Sequence, residues 1–271
     1  CLGSFASDDD PGRHARFEAG TAGEKPTPDR IRYRAFLEHI ARQQLAKAAD
    51  SNTLYRDLAL GCAFDGGEIA EDPDAFVDTM SLGAPPDPFA RNGQVWNLPA
   101  FSPLQLEARG LSPMRAILSA NMLHAAALRI DHILGFARQF WVPRGAEGKD
   151  GAYVRFPMEA LIALAAIASQ RNRCLIVGED LGTVPDALRQ ALHDANILSY
   201  RVLWFERDGE GFKEAAGYPP RALACLASHD LPTFMGWRKG RDIAIEQELG
   251  ILDAAQVEAR KAQRRREIAA L

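Results

Sequence analysis

Three segments of the chain that resemble buried strands each run into an acidic residue. The acids are Asp131, Glu179 and Asp230, which follow strand-like runs at 128–130, 174–178 and 223–229. A single acid of this kind carries little information, because every strand has to end and Asp favours the turn that follows. Three of them in order, each separated by enough residues for a helix, indicate parallel strands that bring carboxylates to one edge of a sheet.

Carboxylates held in different environments can carry out retaining glycoside chemistry. Arg129 lies two residues before Asp131, so both side chains share a strand face, and the guanidinium favours the ionised acid that a nucleophile needs. Glu179 follows apolar residues and is the candidate for an acid that stays protonated near neutral pH. One carboxylate would attack the anomeric carbon while the other protonates the leaving oxygen. Asp230, helped by His229, would hold sugar hydroxyls and stabilise positive charge on the ring.

The same residues also have purely structural interpretations. Arg129 would form an ordinary salt bridge, and His132 and His229, each taken alone, are better explained as hydrogen-bonded structural histidines. A metal site explains the acids less well, because no close ligand cluster such as Asp-x-Asp or His-x-His accompanies them. We therefore expect neither a metal nor a cofactor.

Strands and helices alternate in the segments that must position these acids. The predicted strands lie at 55–64, 128–131, 174–179, 198–205 and 222–229. Predicted helices intervene at about 114–127, at 158–170 and after Pro185, and this βα order is typical of a parallel sheet. The fold class is thus α/β, of the (β/α)8 barrel type. A complete barrel takes roughly 250 residues, so a chain of 271 residues is long enough, but five strands are too few.

We divide the chain into a loop or poorly ordered segment at 1–29, part of a catalytic barrel at 30–240, and a helical segment of the same domain at 241–271. A helix from Pro28 onward should pack through an apolar stripe that includes Tyr33 and Phe36. Residues 71–103 are predicted to form a long proline-rich loop. Its aromatic residues suit the face of a sugar ring or pin the loop to the barrel; they are Phe89, Trp96 and Phe101.

Composition excludes several classes of partner. The chain is 47% hydrophobic and 25% charged, and its net charge of -4 argues against nucleic-acid and anionic-membrane partners. The one basic run, 264–266, is interpreted as a solvated helix face. The 4 cysteines are far apart and are expected to be small buried hydrophobes in a reducing compartment, hence cytoplasmic. No run approaches the ~20 apolar residues of a membrane span.

Four short motifs occur in one order along roughly residues 55–240. They are Gly83-Ala84-Pro85-Pro86-Asp87 with Phe89, Gly93-Gln94, Trp96 and Pro99; Arg129-Ile130-Asp131-His132 with Gly135-Phe136; Gly178-Glu179-Asp180-Leu181-Gly182; and Ser228-His229-Asp230 with Thr233 and Gly236-Trp237. With this ordered set the chain resembles the amylomaltase family, the 4-α-glucanotransferases of the α-amylase-like clan of barrel enzymes. Asn97, where the family usually has Gly, and Leu231-Pro232 depart from the pattern.

The resemblance implies a role for each candidate residue. By it, Asp131 is the nucleophile, Glu179 the general acid/base and Asp230 the stabiliser of the transition state. The sugar-binding residues that it implies are Arg129, His132 and His229 around the cleaved bond, with Asp87, Gln94 and Trp96 beside them. The implied donor and acceptor are maltooligosaccharides or other α-1,4-glucans.

The resemblance begins near the third barrel strand and ends after the seventh. We therefore expect an incomplete barrel, about strands 3 to 7, and a chain that is a fragment. Two alternatives stay open: an α-glucan hydrolase with the same three carboxylates, and a non-catalytic glucan-binding or interaction fragment whose unclosed sheet favours association.

Overall fold

The computed structural model describes residues 27–87, 90–209 and 211–271, which divide into a first unit ending at Ile197 and a second unit from Leu198 to Leu271. The predicted loop at 1–29 lies almost wholly outside the described residues, as do Cys1 and Phe89. Each unit is described by itself.

The first unit alternates helices with strands of two sheets. Its helices are α1 (Pro28–Ser51), α2 (Gly67–Glu71), α3 (Pro103–Ala108), α4 (Ser112–Met122), α5 (Met158–Asn172) and α6 (Asp186–Asp194). Its strands are β1 (Tyr55–Leu58), β2 (Phe76–Ala84), β3 (Gln94–Phe101), β4 (Ala127–Ile130), β5 (Arg138–Pro143), β6 (Ala152–Arg155) and β7 (Leu175–Gly178). Short 3-10 turns at Ile133–Phe136 and Gly148–Asp150 complete the segments near the candidate residues.

Strands β1, β4 and β7 form a parallel sheet with β4 in the middle. Leu128 and Ile130 of β4 point into a core that also contains Leu118 of α4 and Leu161 of α5. The intervening residue, Arg129, faces the other side of the sheet. A parallel strand covered by helices needs apolar residues on its packed face, which explains why these runs stand out in the sequence. The sheet confirms the predicted α/β class.

A second, antiparallel sheet with strand order β3-β2-β5-β6 was not expected. The prediction that 71–103 is a proline-rich loop is wrong, because β2 and β3 form a hairpin there. Pro85 and Pro86 follow β2, and Pro99 lies opposite Ser81, where the register of the two strands shifts. Proline is tolerated in sheets at such irregular positions. Trp96 and Phe101 are thus carried by β3.

Helix α1 begins where predicted, with the Thr27 hydroxyl accepting a hydrogen bond from the Arg30 N–H at 3.4 Å. Its apolar stripe, however, is not packed as expected: Tyr33 is 59% and Phe36 57% exposed, while Ile40 and Leu45 are half-buried. Among the helices of the described residues, none has the length and hydropathy needed to span a bilayer.

The second unit contains a parallel strand pair, a short ribbon and three helices. Its elements are β8 (Leu198–Val202), β9 (Arg207–Asp208), β10 (Gly211–Phe212), β11 (Ala222–Cys225), α7 (Phe234–Arg238), α8 (Arg241–Glu248) and α9 (Ala254–Ala269). Strand β8 pairs with β11 in parallel. Arg264 of α9 is buried and binds both carboxylate oxygens of Asp242 at 3.0 and 2.7 Å. The interpretation of 264–266 as a solvated face is therefore wrong for Arg264.

Candidate active site

Asp131 follows β4 directly, and its carboxylate is paired with Arg129 of the same strand. Arg129 Nη2 lies 2.8 Å from Asp131 Oδ1, which confirms that the two side chains share a face. The Arg129 side chain is 7% exposed whereas that of Asp131 is 35% exposed. The cation is thus buried beneath a carboxylate that stays accessible to a ligand.

Asp57 binds the other arm of the same guanidinium, with 2.8 Å between Arg129 Nη1 and Asp57 Oδ1. The contact arises because β1 and β4 are parallel and Asp57 lies opposite Arg129 in their register. Sequence analysis did not identify Asp57, which lies inside the predicted strand at 55–64. The sequence did contain a signal for this contact. Asp57 and Arg129 have opposite charges and interrupt two apolar strands that follow each other in the predicted βα order.

Burial and nearby charge act in opposite directions on Arg129. Desolvation disfavours its charged form, but the hydrogen bond with Asp57 and the charges of Asp131, Asp57 and Glu179 outweigh that effect and raise the pKa of Arg129. An arginine is cationic under all ordinary conditions. The site therefore contains a permanent buried positive charge shared by two carboxylates.

Glu179, which follows β7, is tied to the backbone just after Asp131. Its Oε2 accepts a hydrogen bond from the His132 N–H at 3.0 Å, and its Oε1 accepts one from the Leu181 N–H at 2.8 Å. The main chain adds two more links, from Glu179 N to Ile130 O and from Ile133 N to Glu179 O, each 3.0 Å long. Glu179 is 9% exposed. These bonds fix the orientation of a buried carboxyl beside the segment that bears Asp131.

His132 adopts a left-handed backbone conformation, with φ of 48°. Residues other than Gly adopt this conformation uncommonly, and it is enriched at functional sites. Here it directs the His132 N–H toward Glu179. Burial lowers the pKa of the His132 imidazole, although the charges of Glu179 and Asp131 oppose that shift. The ring meets Trp96 edge-to-face, with 5.6 Å between the ring centroids.

The β2–β3 hairpin supplies the remaining first-unit candidates. Trp96 Nε1 donates to Gln94 Oε1 at 2.9 Å, so the two polar groups orient each other. Asp87 Oδ1 instead accepts a hydrogen bond from the Ala90 N–H at 2.6 Å and supports the hairpin's turn. The turn is also held by a close backbone approach between Gly93 and Gly148, where neither residue leaves room for a Cβ atom.

His229 and Asp230 follow β11 in the second unit, and they contact each other. His229 Nε2 lies 3.3 Å from Asp230 Oδ1, and the Asp230 N–H donates to Ser228 Oγ at 3.3 Å. Their side chains are 65% and 71% exposed. The structure thus links the first-unit candidates through successive contacts, and it separately pairs His229 with Asp230. The linked candidates are Arg129, Asp131, His132, Glu179, Trp96 and Gln94.

A cavity of about 280 Å³ in the first unit borders Asp57, Asp131 and His132. Most of its lining is apolar, with Phe136 and Phe156 among the contributors. Polar side chains also contribute to the lining, including Asn121 and Gln139. Across the described ranges, no three His, Cys, Asp or Glu side chains gather as metal ligands.

Comparison with known proteins gives consistent similarities. The family model described as 4-alpha-glucanotransferase matches residues 9–270. A 4-alpha-glucanotransferase of Haemophilus influenzae is 40% identical over 244 residues, which are 87% of this chain and 35% of that protein. One from Mycobacterium tuberculosis is 34% identical over 232 residues, which are 83% of this chain and 32% of the relative. The chain therefore spans about a third of the length of these curated relatives.

Solved structures agree with the sequence relatives. The crystal structure of amylomaltase from Corynebacterium glutamicum superposes with a TM-score of 0.85 at 28% identity, covering 95% of this chain and 39% of that one. An amylomaltase from Streptococcus agalactiae, solved with acarbose, has a TM-score of 0.70 at 19% identity, covering 91% of this chain and 53% of that one. The second similarity is one of fold alone.

Proposed function

We propose a transglycosylase function from the premise that this chain belongs to the 4-alpha-glucanotransferase family. In this proposal, the site transfers segments of α-1,4-glucan between maltooligosaccharides, with retention at the anomeric carbon. The proposal rests on two contacts that occur side by side. Asp131 forms an ion pair with Arg129, and Glu179 accepts a hydrogen bond from the backbone N–H of His132. Asp131 is thus an accessible carboxylate beside the cation of Arg129, and Glu179 is a buried carboxyl whose orientation is fixed by hydrogen bonds.

The proposed reaction has two steps through one covalent intermediate. Asp131 attacks the anomeric carbon of the donor and forms a glycosyl ester, while Glu179 gives a proton to the departing glycosidic oxygen. Glu179 then takes a proton from the 4-hydroxyl of an acceptor glucan, whose oxygen displaces Asp131 and restores the carboxylate. Two inversions at the anomeric carbon give net retention.

The local contacts support these assignments. The Arg129 guanidinium lies 2.8 Å from the Asp131 carboxylate and holds it by a charge-assisted contact, which suits a nucleophile. Each Glu179 oxygen accepts one backbone hydrogen bond, which leaves acceptor capacity on both oxygens for the substrate. Fixed orientation matters here, because one carboxyl must act as acid in the first step and as base in the second.

The other candidates are proposed as sugar contacts. Asp230 and His229 would stabilise charge on the ring and hold its hydroxyls, while Trp96 would offer an aromatic face and Gln94 an amide. Arg129 and His132 would line the subsite of the cleaved bond. Asp87 already supports the hairpin's turn, so its contribution to sugar binding would be combined with that structural role.

We further propose a cytoplasmic location and no requirement for a metal or cofactor. The described cysteines support a reducing compartment, because Cys62, Cys174 and Cys225 are free thiols and the first two are buried. Burial raises the pKa of the Cys62 thiol to about 12, which makes it an unreactive packing residue.

Incubation of the chain with maltotriose, followed by chromatography, tests the proposal. We expect glucose and a ladder of longer maltooligosaccharides. Asp131→Asn should abolish the ladder, while Asp186→Asn, which alters an exposed carboxylate on α6, should leave it unchanged. Shortened products alone would replace the proposal with a hydrolase. Absence of turnover, with glucan still bound in a calorimetric titration, would replace it with a non-catalytic binding fragment.

A further inference from the structure

We infer that Asn97 is a positioning residue, whose left-handed backbone shapes a bulge in β3 that holds the Trp96 ring against His132. The backbone of Asn97 has φ of 56°, and its side chain is exposed. The inference rests on the proposed function, because it gives the bulge a part in placing an aromatic face for a sugar ring. Asn97 would act through Trp96.

The pairing of β2 with β3 is irregular on both sides of this residue. Ser81 pairs with Pro99, and Gly83 pairs with Val95. These two pairs enclose one residue on β2 but three on β3, at 96–98, so β3 has two residues more than regular pairing can hold. Bulges of this kind bend a strand and change the direction of its side chains, and they are over-represented next to active sites.

Asn97 is the middle residue of the bulge and adopts the conformation that regular strands exclude. A positive φ brings the Cβ atom close to the following carbonyl oxygen, so few residues other than Gly adopt it. Asn tolerates it better than most, because its short amide can form local hydrogen bonds, whereas β-branched residues are genuine outliers there. The residue type at position 97 therefore decides how readily the bulge forms.

The bulge also contains Trp96, which two contacts orient. Its Nε1 donates to Gln94 Oε1 at 2.9 Å, and its ring meets the His132 ring edge-to-face with 5.6 Å between the centroids. His132 in turn donates its backbone N–H to Glu179. The bulge is thus connected through one aromatic pair to the segment that orients the proposed acid/base.

The length of chain taken up by the bulge shows how strongly it affects Trp96. A strand advances about 3.4 Å per residue, so two extra residues correspond to about 7 Å of extended chain. A misplacement of roughly 1 Å at a substrate-positioning group already costs up to about 100-fold in rate. A partial loss of the bulge would therefore be enough to withdraw the Trp96 ring from His132.

Substitutions at position 97 grade the cost of the left-handed conformation. Gly adopts it freely, Ala less readily and Val least. In the maltotriose assay we expect Asn97→Gly to match the unaltered chain within twofold and Asn97→Val to lower kcat/KM by about 10- to 100-fold, mainly by raising KM. Asn97→Ala should lie between them, and it decides the question by the same readouts if Asn97→Val does not fold.

Asn196→Val is the matched control for backbone strain alone. Asn196 also has φ of 56° and is also exposed, but it lies in the segment after α6 rather than in the hairpin. We expect Asn196→Val to lose thermal stability as Asn97→Val does, while its KM stays within twofold of the unaltered value. An equal rise of KM in Asn196→Val would overturn the inference, because general destabilisation would then explain the effect.

A nuclear Overhauser cross-peak between the ring protons of Trp96 and His132 tests the positioning without turnover. Trp96→Phe assigns the indole signals. We expect the cross-peak in the unaltered chain, in Asn97→Gly and in Asn196→Val, and its loss in Asn97→Val. Its persistence in a folded Asn97→Val protein, or a KM there within twofold of the unaltered value, would overturn the inference. If the unaltered chain lacks transfer activity but the cross-peak follows this pattern, the proposed function fails while the positioning role of Asn97 stands.

Discussion

Replacing Gly148 with alanine should move the hairpin that carries Gln94 and Trp96. A Cβ atom at position 148 would lie 2.5 Å from Gln94 N and 2.5 Å from the carbonyl carbon of Gly93, whereas ordinary contacts begin near 3.4 Å. Both neighbours are backbone atoms, so no side-chain rotation relieves the overlap. The turn must retreat by about 0.9 Å, the difference between those two distances.

A displacement of that size is large for a binding site. Misplacing a substrate-positioning group by roughly 1 Å costs up to about 100-fold in rate, and overpacking costs about 1–3 kcal/mol of stability. We expect Gly148→Ala to raise KM for maltotriose and to lower kcat/KM by about 10- to 100-fold. The chemical step should be less affected, because Asp131 and Glu179 are held by β4, β7 and the backbone after them.

Steady-state kinetics with maltotriose, together with thermal unfolding, provides the assay. Gly61→Ala is the matched control, since a Cβ there would meet only side chains, at 3.4 to 3.6 Å. A Gly148→Ala protein with unaltered KM and unaltered stability would show that the Gly93–Gly148 approach does not fix the hairpin. A fall in kcat with constant KM would also refute the reasoning, because it would place the effect on the chemistry.

Three further predictions concern stability. Asp242→Asn should destabilise the protein by about 2–4 kcal/mol in denaturant unfolding, because the buried Arg264 loses its close carboxylate partner and keeps the longer contact with Glu267 at 3.5 Å; an effect below about 0.5 kcal/mol would contradict this. Leu118→Ala should cost about 2–5 kcal/mol in the same measurement, since Leu118 is fully buried. Because burial lowers the pKa of His132, the stability linked to its neutral form is complete above about pH 6.5 and is lost as pH falls through the lower folded value. His132→Gln should flatten that part of the pH–stability curve, and an unchanged slope would exclude His132 as its source.

The parallel strands and their acids could be predicted because each signal is local. A buried strand in an α/β protein is an apolar run, and residues two apart share a face, which is sufficient to place Arg129 beside Asp131. The partner of Arg129 across the sheet is a different matter. Asp57 is 72 residues away from Arg129 in sequence. Their contact depends on the register of β1 against β4, and the spacing of residues within one strand does not predict that register.

The antiparallel sheet was missed for a related reason. Proline normally argues against a strand because it lacks the N–H that a neighbouring strand would bind. Whether that hydrogen bond is needed depends on how the two strands are paired, which the sequence of one strand does not show. At Pro99 the register shifts, so the usual inference fails. Helix α1 shows a second limit of sequence patterns. The spacing of apolar residues predicts the helix, but whether Tyr33 and Phe36 are buried depends on which residues pack against them.

The two backbone hydrogen bonds to Glu179 have a consequence for the choice of inactive variants. A glutamine has one carbonyl oxygen, so it can accept from the N–H of His132 or from that of Leu181, but not from both. The other N–H would face an amide NH₂, and an unsatisfied buried donor costs about 1–3 kcal/mol. Glu179→Gln is therefore not an isosteric replacement here, and trapping an uncleaved glucan is better attempted with Asp131→Asn, whose carbonyl oxygen can still accept from Arg129.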